Sequence, residues 1–203
     1  MKTSKTGKTQ IITNPSQKEL KEHGSYPFPF LVSYESLSGY DTGSFLWHWH
    51  SEIEFTLITK GRMIYQVNDQ CFLMKEGEAL FGNSSTLHSG HMADETDCEY
   101  ISITFAPRLL YGYEGSLIQE KYVAPVLHHR GLAAIHFDSQ SVKKQAKLLE
   151  EAADQIQNQT VKVITAANEA VAASWSGKAA EIFVKFMQEQ NTDLASGAAS
   201  LRE

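Results

Sequence analysis

The sequence predicts an α+β protein: a β-rich N-terminal part closing as a sandwich or barrel, then a helical C-terminal part. Of its 21 aromatic residues 18 precede Asp138, whereas 13 of its 19 alanines follow it. Aromatic side chains suit strands and alanine suits helices, so the chain changes character there. Before that point, short apolar-alternating runs are separated by turn residues. After it, apolar residues recur with a period near 3.5.

Residues 1–25 read as a flexible polar tail. Positions 1–24 hold five Lys and two Glu, a net +3, with no apolar core of a secretory signal. Strands are expected over Phe28 to Tyr34, Phe45 to Trp49, Ile53 to Ile58, Met63 to Val67, Phe72 to Met74, Ala79 to Phe81 and Tyr100 to Phe105. Lys60-Gly61 and Asn68-Asp69-Gln70 sit between such runs at hairpin length, so the middle reads as an antiparallel meander. Trp47 and Trp49 alternate with His48 and His50 and should face the other way, as packing residues. Over 141–203 the steps Leu149, Ala153, Ile156, Thr160, Val163, Ala167 and Ala170 describe one amphipathic helix. Ser174-Trp175-Ser176-Gly177 interrupts it, and spacing resumes at Ala179, Ile182, Phe183, Phe186 and Met187. A helical hairpin follows, with more apolar surface than one hairpin hides, so it calls for a partner surface such as a second copy in a homodimer.

Composition excludes several classes. The 203 residues carry 18 basic and 24 acidic side chains, net −6, without the basic face of a nucleic-acid-binding domain. No run approaches the twenty or so apolar residues of a membrane span. Cys71 and Cys98 are too few for a disulfide scaffold and read as reduced core thiols of a cytoplasmic protein.

The densest chemical signal is Gly43-x4-His48-x-His50-x3-Glu54-x6-Gly61, followed by Gly77-x5-Asn83-x4-His88. Residues i and i+2 of a strand share a face, so His48 and His50 project together. A neighbouring strand brings Glu54 alongside, and His88 joins from a later one. Three imidazoles and a carboxylate suit a borderline divalent ion such as Zn, Mn, Fe or Ni. Without an ion, the same groups read as a satisfied polar cluster at a barrel mouth. His48, His50, Glu54 and His88, walled by Phe45, Phe55 and Tyr65, would then hold the hydroxyl or carboxylate groups of a small polar ligand such as a sugar or carboxylate. Glu52 stays outside this set, and His91, His128 and His129 fall on expected loops.

These motifs resemble those of the cupin superfamily over residues 26–137. The first interval is one residue short, Asn83 stands for the usual Pro, Ser85 for Gly and Met92 for Asn. Within cupins, "FLWHWHSEIEFTLITKGRMIYQVNDQCFLMKEGEALFGNSSTLHSG" is most similar to the effector-binding domain of AraC-type transcription regulators. That resemblance implies a double-stranded β-helix, or jelly roll, sensing a small molecule without catalysing a reaction. A metal-dependent cupin enzyme, an isomerase or dioxygenase, is the alternative. The DNA-binding half of such regulators has two helix-turn-helix units. The 66 residues after Phe137 show no recognition-helix pattern and carry seven basic against nine acidic side chains, so no direct DNA binding by this chain is expected.

The segment 146–201 is similar instead to the ESAT-like helical hairpins of type VII secretion. Those turn on Trp-x-Gly, here Trp175-Ser176-Gly177. An ordinary hairpin that happens to contain this tripeptide is the alternative. The two resemblances do not usually share one polypeptide.

Overall fold

The described residues form nine strands: β1 (Phe30–Ser36), β2 (Ser44–His48), β3 (Ile53–Lys60), β4 (Arg62–Val67), β5 (Gln70–Lys75), β6 (Ala79–Gly82), β7 (His88–Met92), β8 (Glu99–Phe105) and β9 (Ala134–Phe137). The structure, a computed structural model, describes residues 9–200. It divides into two units, one ending at Val142 and the other starting at Lys143.

In the first unit the strands form two antiparallel sheets, ordered β1-β8-β3-β6-β9 and β2-β7-β4-β5. The expected meander is therefore corrected. β3 and β4 lie in different sheets, and Lys60-Gly61 carries the chain from one to the other, whereas Asn68-Asp69 does close a hairpin between β4 and β5. Gly61 has φ +75°, and a Cβ there would meet the Asp97 carbonyl oxygen at 2.3 Å, so the crossing requires glycine. Two strands escape apolar alternation: β7 reads His-Ser-Gly-His-Met, and β9 is short. His91 accordingly lies on a strand rather than a loop. Between the sheets Leu37, Ile58, Met63, Val67, Met74, Leu80 and Cys98 are fully buried. Cys71 is exposed, so only Cys98 is a core thiol.

The expectation of a loose N-terminal tail is corrected for residues 9–24; residues 1–8 lie outside the described residues. Backbone bridges join Thr9 to Tyr40 and Lys18 to Trp49. Gln10 Nε2 donates to the Ser44 carbonyl at 3.0 Å, and Trp49 Nε1 donates to the Ser16 carbonyl at 2.8 Å. The segment is held by backbone and polar pairing, which leaves no hydrophobic period in the sequence.

Two one-turn helices, α1 (Arg108–Tyr111) and α2 (Ala124–Leu127), fill the connection from β8 to β9. Asn83 anchors that connection: its backbone N–H donates to Ala133, and its Nδ2 donates to the carbonyls of Val126 (2.9 Å) and Leu132 (2.8 Å). Proline, usual at this point of the motif, supplies none of these donors. Ser85, standing for the usual glycine, has φ +61°, the left-handed backbone that glycine accepts most easily.

Asp138 Oδ1 accepts from the Ser141 N–H at 2.7 Å and caps α3 (Ser139–Gln155). A π-helical stretch, Ile156–Val161, leads into α4 (Lys162–Ser174), and α5 (Lys178–Ser200) follows Trp175-Ser176-Gly177. The buried or half-buried seam runs through Ala153, Val161, Ile164, Asn168 and Val171, then Ala180, Val184, Met187, Asn191 and Ala198. Ile156 is half-buried as expected, and beyond it the seam is displaced by one position from the expected Thr160, Val163, Ala167 and Ala170. A π-helical turn holds more residues than an α-helical one and so shifts the face. Asn191 Nδ2 donates to Thr165 Oγ1 at 2.8 Å between α5 and α4, and the half-exposed Trp175 ring lies 6.0 Å from that of Phe183.

Candidate functional site

The register brings His48 of β2 opposite His88 of β7, with ring centroids 4.1 Å apart. His50, just past β2, lies 5.1 Å from His88, and the three rings offer nitrogen atoms within 4.8 Å of one another. All three residues are buried. A bulge between Phe45 and His48 turns both side chains inward although they are three residues apart. Gly90 makes room for the Phe45 ring, since a Cβ there would lie 2.5 Å from Phe45 Cζ.

Glu54 comes from β3, in the other sheet. It accepts from His50 Nε2 (3.1 Å), Thr56 Oγ1 (2.8 Å) and Tyr65 Oη (3.1 Å). Burial alone would push its carboxyl up. The hydrogen bond from His50, the neighbouring imidazoles and the Thr56 hydroxyl outweigh it and hold the carboxyl far below the usual range. Burial and the Glu54 charge push the Tyr65 phenol well up.

His48 Nδ1 donates to the Leu46 carbonyl at 2.8 Å, and His88 Nδ1 donates to the Thr86 carbonyl at 2.9 Å. These bonds fix the tautomer that leaves Nε2 with its lone pair, and His88 Nε2 is buried without a hydrogen-bond partner. Burial, then the adjacent His48, lowers His88 to about 3; burial lowers His48 as well. Neutral imidazoles tied through one nitrogen and free at the other match the donor set of a divalent ion. His48 and His88 fit such an ion in this way, and His50 stands beside them as the third imidazole of the cluster.

Phe45, His48 and Glu54 line a cavity of about 400 Å³, together with Tyr40, Tyr100, Ser102 and Thr104. Residues 9–12 and 19–21, with His23, Ser33 and Glu35, form its remaining wall. His50, His88 and Tyr65 do not line the cavity; Tyr65 and His88 stack at 6.0 Å beside Glu54. Phe55 is a correction. It adjoins Glu54 in sequence, so the pleat turns it to the opposite face, where it packs on Phe81 (5.4 Å) and Phe105 (6.4 Å).

Sequence reasoning missed Glu19, His23 and Glu52. His23 Nε2 lies 3.2 Å from Glu19 Oε2, and His23 Nδ1 lies 3.6 Å from Glu52 Oε2. Glu52, expected outside the set, is 3.7 Å from His50 Nδ1. Burial opposes a charge on His23, but hydrogen bonds to Glu19 and Glu52 raise it to about 9. The bond with His23 brings Glu52 down to about 2. The i, i+4 spacing of Glu19 and His23 was the available signal.

A two-sheet sandwich with inward imidazoles, a carboxylate and an adjoining cavity defines a cupin-like ligand-binding domain. The chain belongs to the AraC-like ligand binding domain family, whose sequence pattern matches residues 33–172. The match runs past residue 137, through α3 and into α4. Among curated proteins, the "Uncharacterized HTH-type transcriptional regulator YdeC" of Bacillus subtilis is 30% identical over 122 residues, covering 60% of this chain and 41% of that protein. The chain thus spans about two fifths of that relative's length. Among solved structures, a predicted oxalate decarboxylase from Thermotoga maritima is 25% identical, covers 37% of this chain and 65% of its own, and has a TM-score of 0.35. The Cnp3 cupin domain of Schizosaccharomyces pombe is 14% identical, covering 42% and 61%, with a TM-score of 0.37. No helix among the described residues is long and apolar enough to cross a membrane.

Proposed function

We propose that this chain is the effector-sensing part of a cytoplasmic transcription regulator. A small polar molecule, such as a sugar or carboxylate, binds between the two sheets. The observation that carries this reading is the polar cavity, where Phe45 forms an apolar wall and His48 and Glu54 meet the hydroxyls of Tyr40, Tyr100, Ser102 and Thr104. The domain senses and does not catalyse. The acidic balance of the segment after residue 137 supports a chain that does not itself contact DNA. Thermal-shift screening of sugars and small carboxylates tests the reading: a ligand at 100 times its Kd stabilises by about 2.7 kcal/mol. That gain should vanish in His48→Ala plus Glu54→Gln. Hits that survive both changes would place the binding site elsewhere.

A second reading is favoured by the unpartnered His88 Nε2. His48, His50, Glu54 and His88 would hold a divalent ion such as Zn, Mn, Fe or Ni, as in a metal-dependent isomerase or dioxygenase. The ion would supply Lewis-acid polarisation of a substrate oxygen. The chain's own residues position it, through the Leu46 and Thr86 carbonyls behind His48 and His88. Metal lost on His48→Ala and on His88→Ala would favour the enzyme over the sensor.

For the second unit we propose a helical hairpin that pairs with a second copy as a homodimer. The apolar side chains left exposed on α5, Ile182, Phe183 and Phe186, support this. In the alternative reading of a WXG-type secreted hairpin, Gly177, at φ +99°, permits the reversal and Trp175 packs on Phe183.

A further inference from the structure

We infer that His23 Nδ1, His50 Nδ1 and Glu52 Oε2 form a separate divalent-cation site, best suited to Zn²⁺, that fastens residues 19–23 to the β2–β3 connection. The three side chains offer ligand atoms within 4.8 Å of one another. Glu52 Oε2 lies 3.6 Å from His23 Nδ1 and 3.7 Å from His50 Nδ1. Ligands around a tetrahedral zinc at bond lengths of about 2.0–2.1 Å are separated by about 3.3 Å, so Glu52 needs only a small inward adjustment toward each ring. The two rings meet edge-on, with centroids 4.9 Å apart and planes at 61°, which lets their nitrogens converge on one point.

The second observation is the state of His50. It is 4% exposed, and its Nδ1 is buried with no hydrogen-bond partner. Its Nε2–H donates to Glu54 at 3.1 Å, so the lone pair sits on Nδ1 and points toward Glu52 and His23, away from Glu54. His23 is backed in the same way, with Glu19 Oε2 3.2 Å from its Nε2. Each imidazole thus has a carboxylate on its far nitrogen, the arrangement that orients metal-binding histidines and raises their basicity; the near nitrogen of His50 is unpartnered, and that of His23 faces Glu52 Oε2 at 3.6 Å. Two imidazoles and one carboxylate leave a fourth position open to water or a ligand oxygen. The site uses the nitrogen of His50 that does not bond to Glu54, and it does not depend on the effector reading. The competing occupant is a proton on His23 Nδ1, which makes an imidazolium between Glu19 and Glu52.

The test uses the full chain dialysed against Zn²⁺ and measured by elemental analysis, in a His88→Ala background that removes a ligand of the other cluster only. The expected result is one Zn²⁺ per chain, lost on adding Glu52→Gln or His23→Ala, and bound about 10–100-fold more weakly on adding Glu19→Gln. Because Glu52 is partly exposed, Glu52→Gln should leave the fold intact, which circular dichroism checks. As a second readout, Zn²⁺ should slow tryptic cleavage after Lys18 and Lys21 in His88→Ala but not once Glu52→Gln is added. A folded His88→Ala protein that retains no Zn²⁺, or one whose Zn²⁺ content and protection are indifferent to Glu52→Gln, overturns the site and leaves the imidazolium.

Discussion

The two units bury different things. Between its sheets the sandwich hides large side chains, Leu37, Ile58, Met63, Met74 and Leu80, each at most 1% exposed. Along α3–α5 the buried residues are small or polar, Ala153, Val161, Asn168, Ala180 and Ala198, while Ile182 is 62% and Phe186 54% exposed. The sandwich therefore carries a core able to hold a site rigid. The helices keep much of their apolar surface outside. Buried imidazoles and a buried carboxylate are tolerable only where surrounding structure fixes their partners. That explains why, among the described residues, the polar cluster sits in the first unit.

The largest expected effect tests the core directly. Leu80→Ala removes a fully enclosed side chain and should cost about 2–5 kcal/mol in denaturant unfolding of the sandwich. A loss below 1 kcal/mol would mean that the core collapses easily and is not what holds the site. Next comes the polar anchoring of the sandwich. Asn83→Ala removes the Nδ2 donor that the Val126 and Leu132 carbonyls share and should cost about 1–3 kcal/mol. Faster hydrogen exchange over residues 124–133 than over β3 should accompany it; equal rates would show that the β8–β9 connection is held by other means.

The smallest effect on stability is expected in the second unit, where it sharpens the contrast. Phe186→Ser changes an exposed side chain, so the sandwich should melt within about 0.5 kcal/mol of the parent. Under the homodimer proposal, light scattering should nonetheless show the mass falling from two chains to one. A parent chain that is already monomeric would end that proposal.

How far the sequence reached differs between the units for the same reason. In the sandwich, period-two alternation is a local property of the strand and was legible for β1 to β6 and β8. His48, His50, Glu54 and His88 were equally legible, because the first two share a face and the motif spacing supplied the others. Phe55 was misplaced by neglecting that same parity beside Glu54. In the helices a period near 3.5 was plain, but the π-helical stretch moved the seam from Val163 and Ala167 to Ile164 and Asn168.

What the sequence determined by itself was the element types, the break near residue 138 and the imidazole cluster, since all rest on interactions between near neighbours. Only the tertiary structure decided which strands share a sheet: Lys60-Gly61 joins two sheets rather than two partners, because Gly61 must pass against the Asp97 backbone. It also decided that Glu19 and His23 belong beside His50. They reach it through backbone bridges and through hydrogen bonds from the Gln10 and Trp49 side chains, and such pairing is specified by geometry across the fold. No apolar period marks it in the chain.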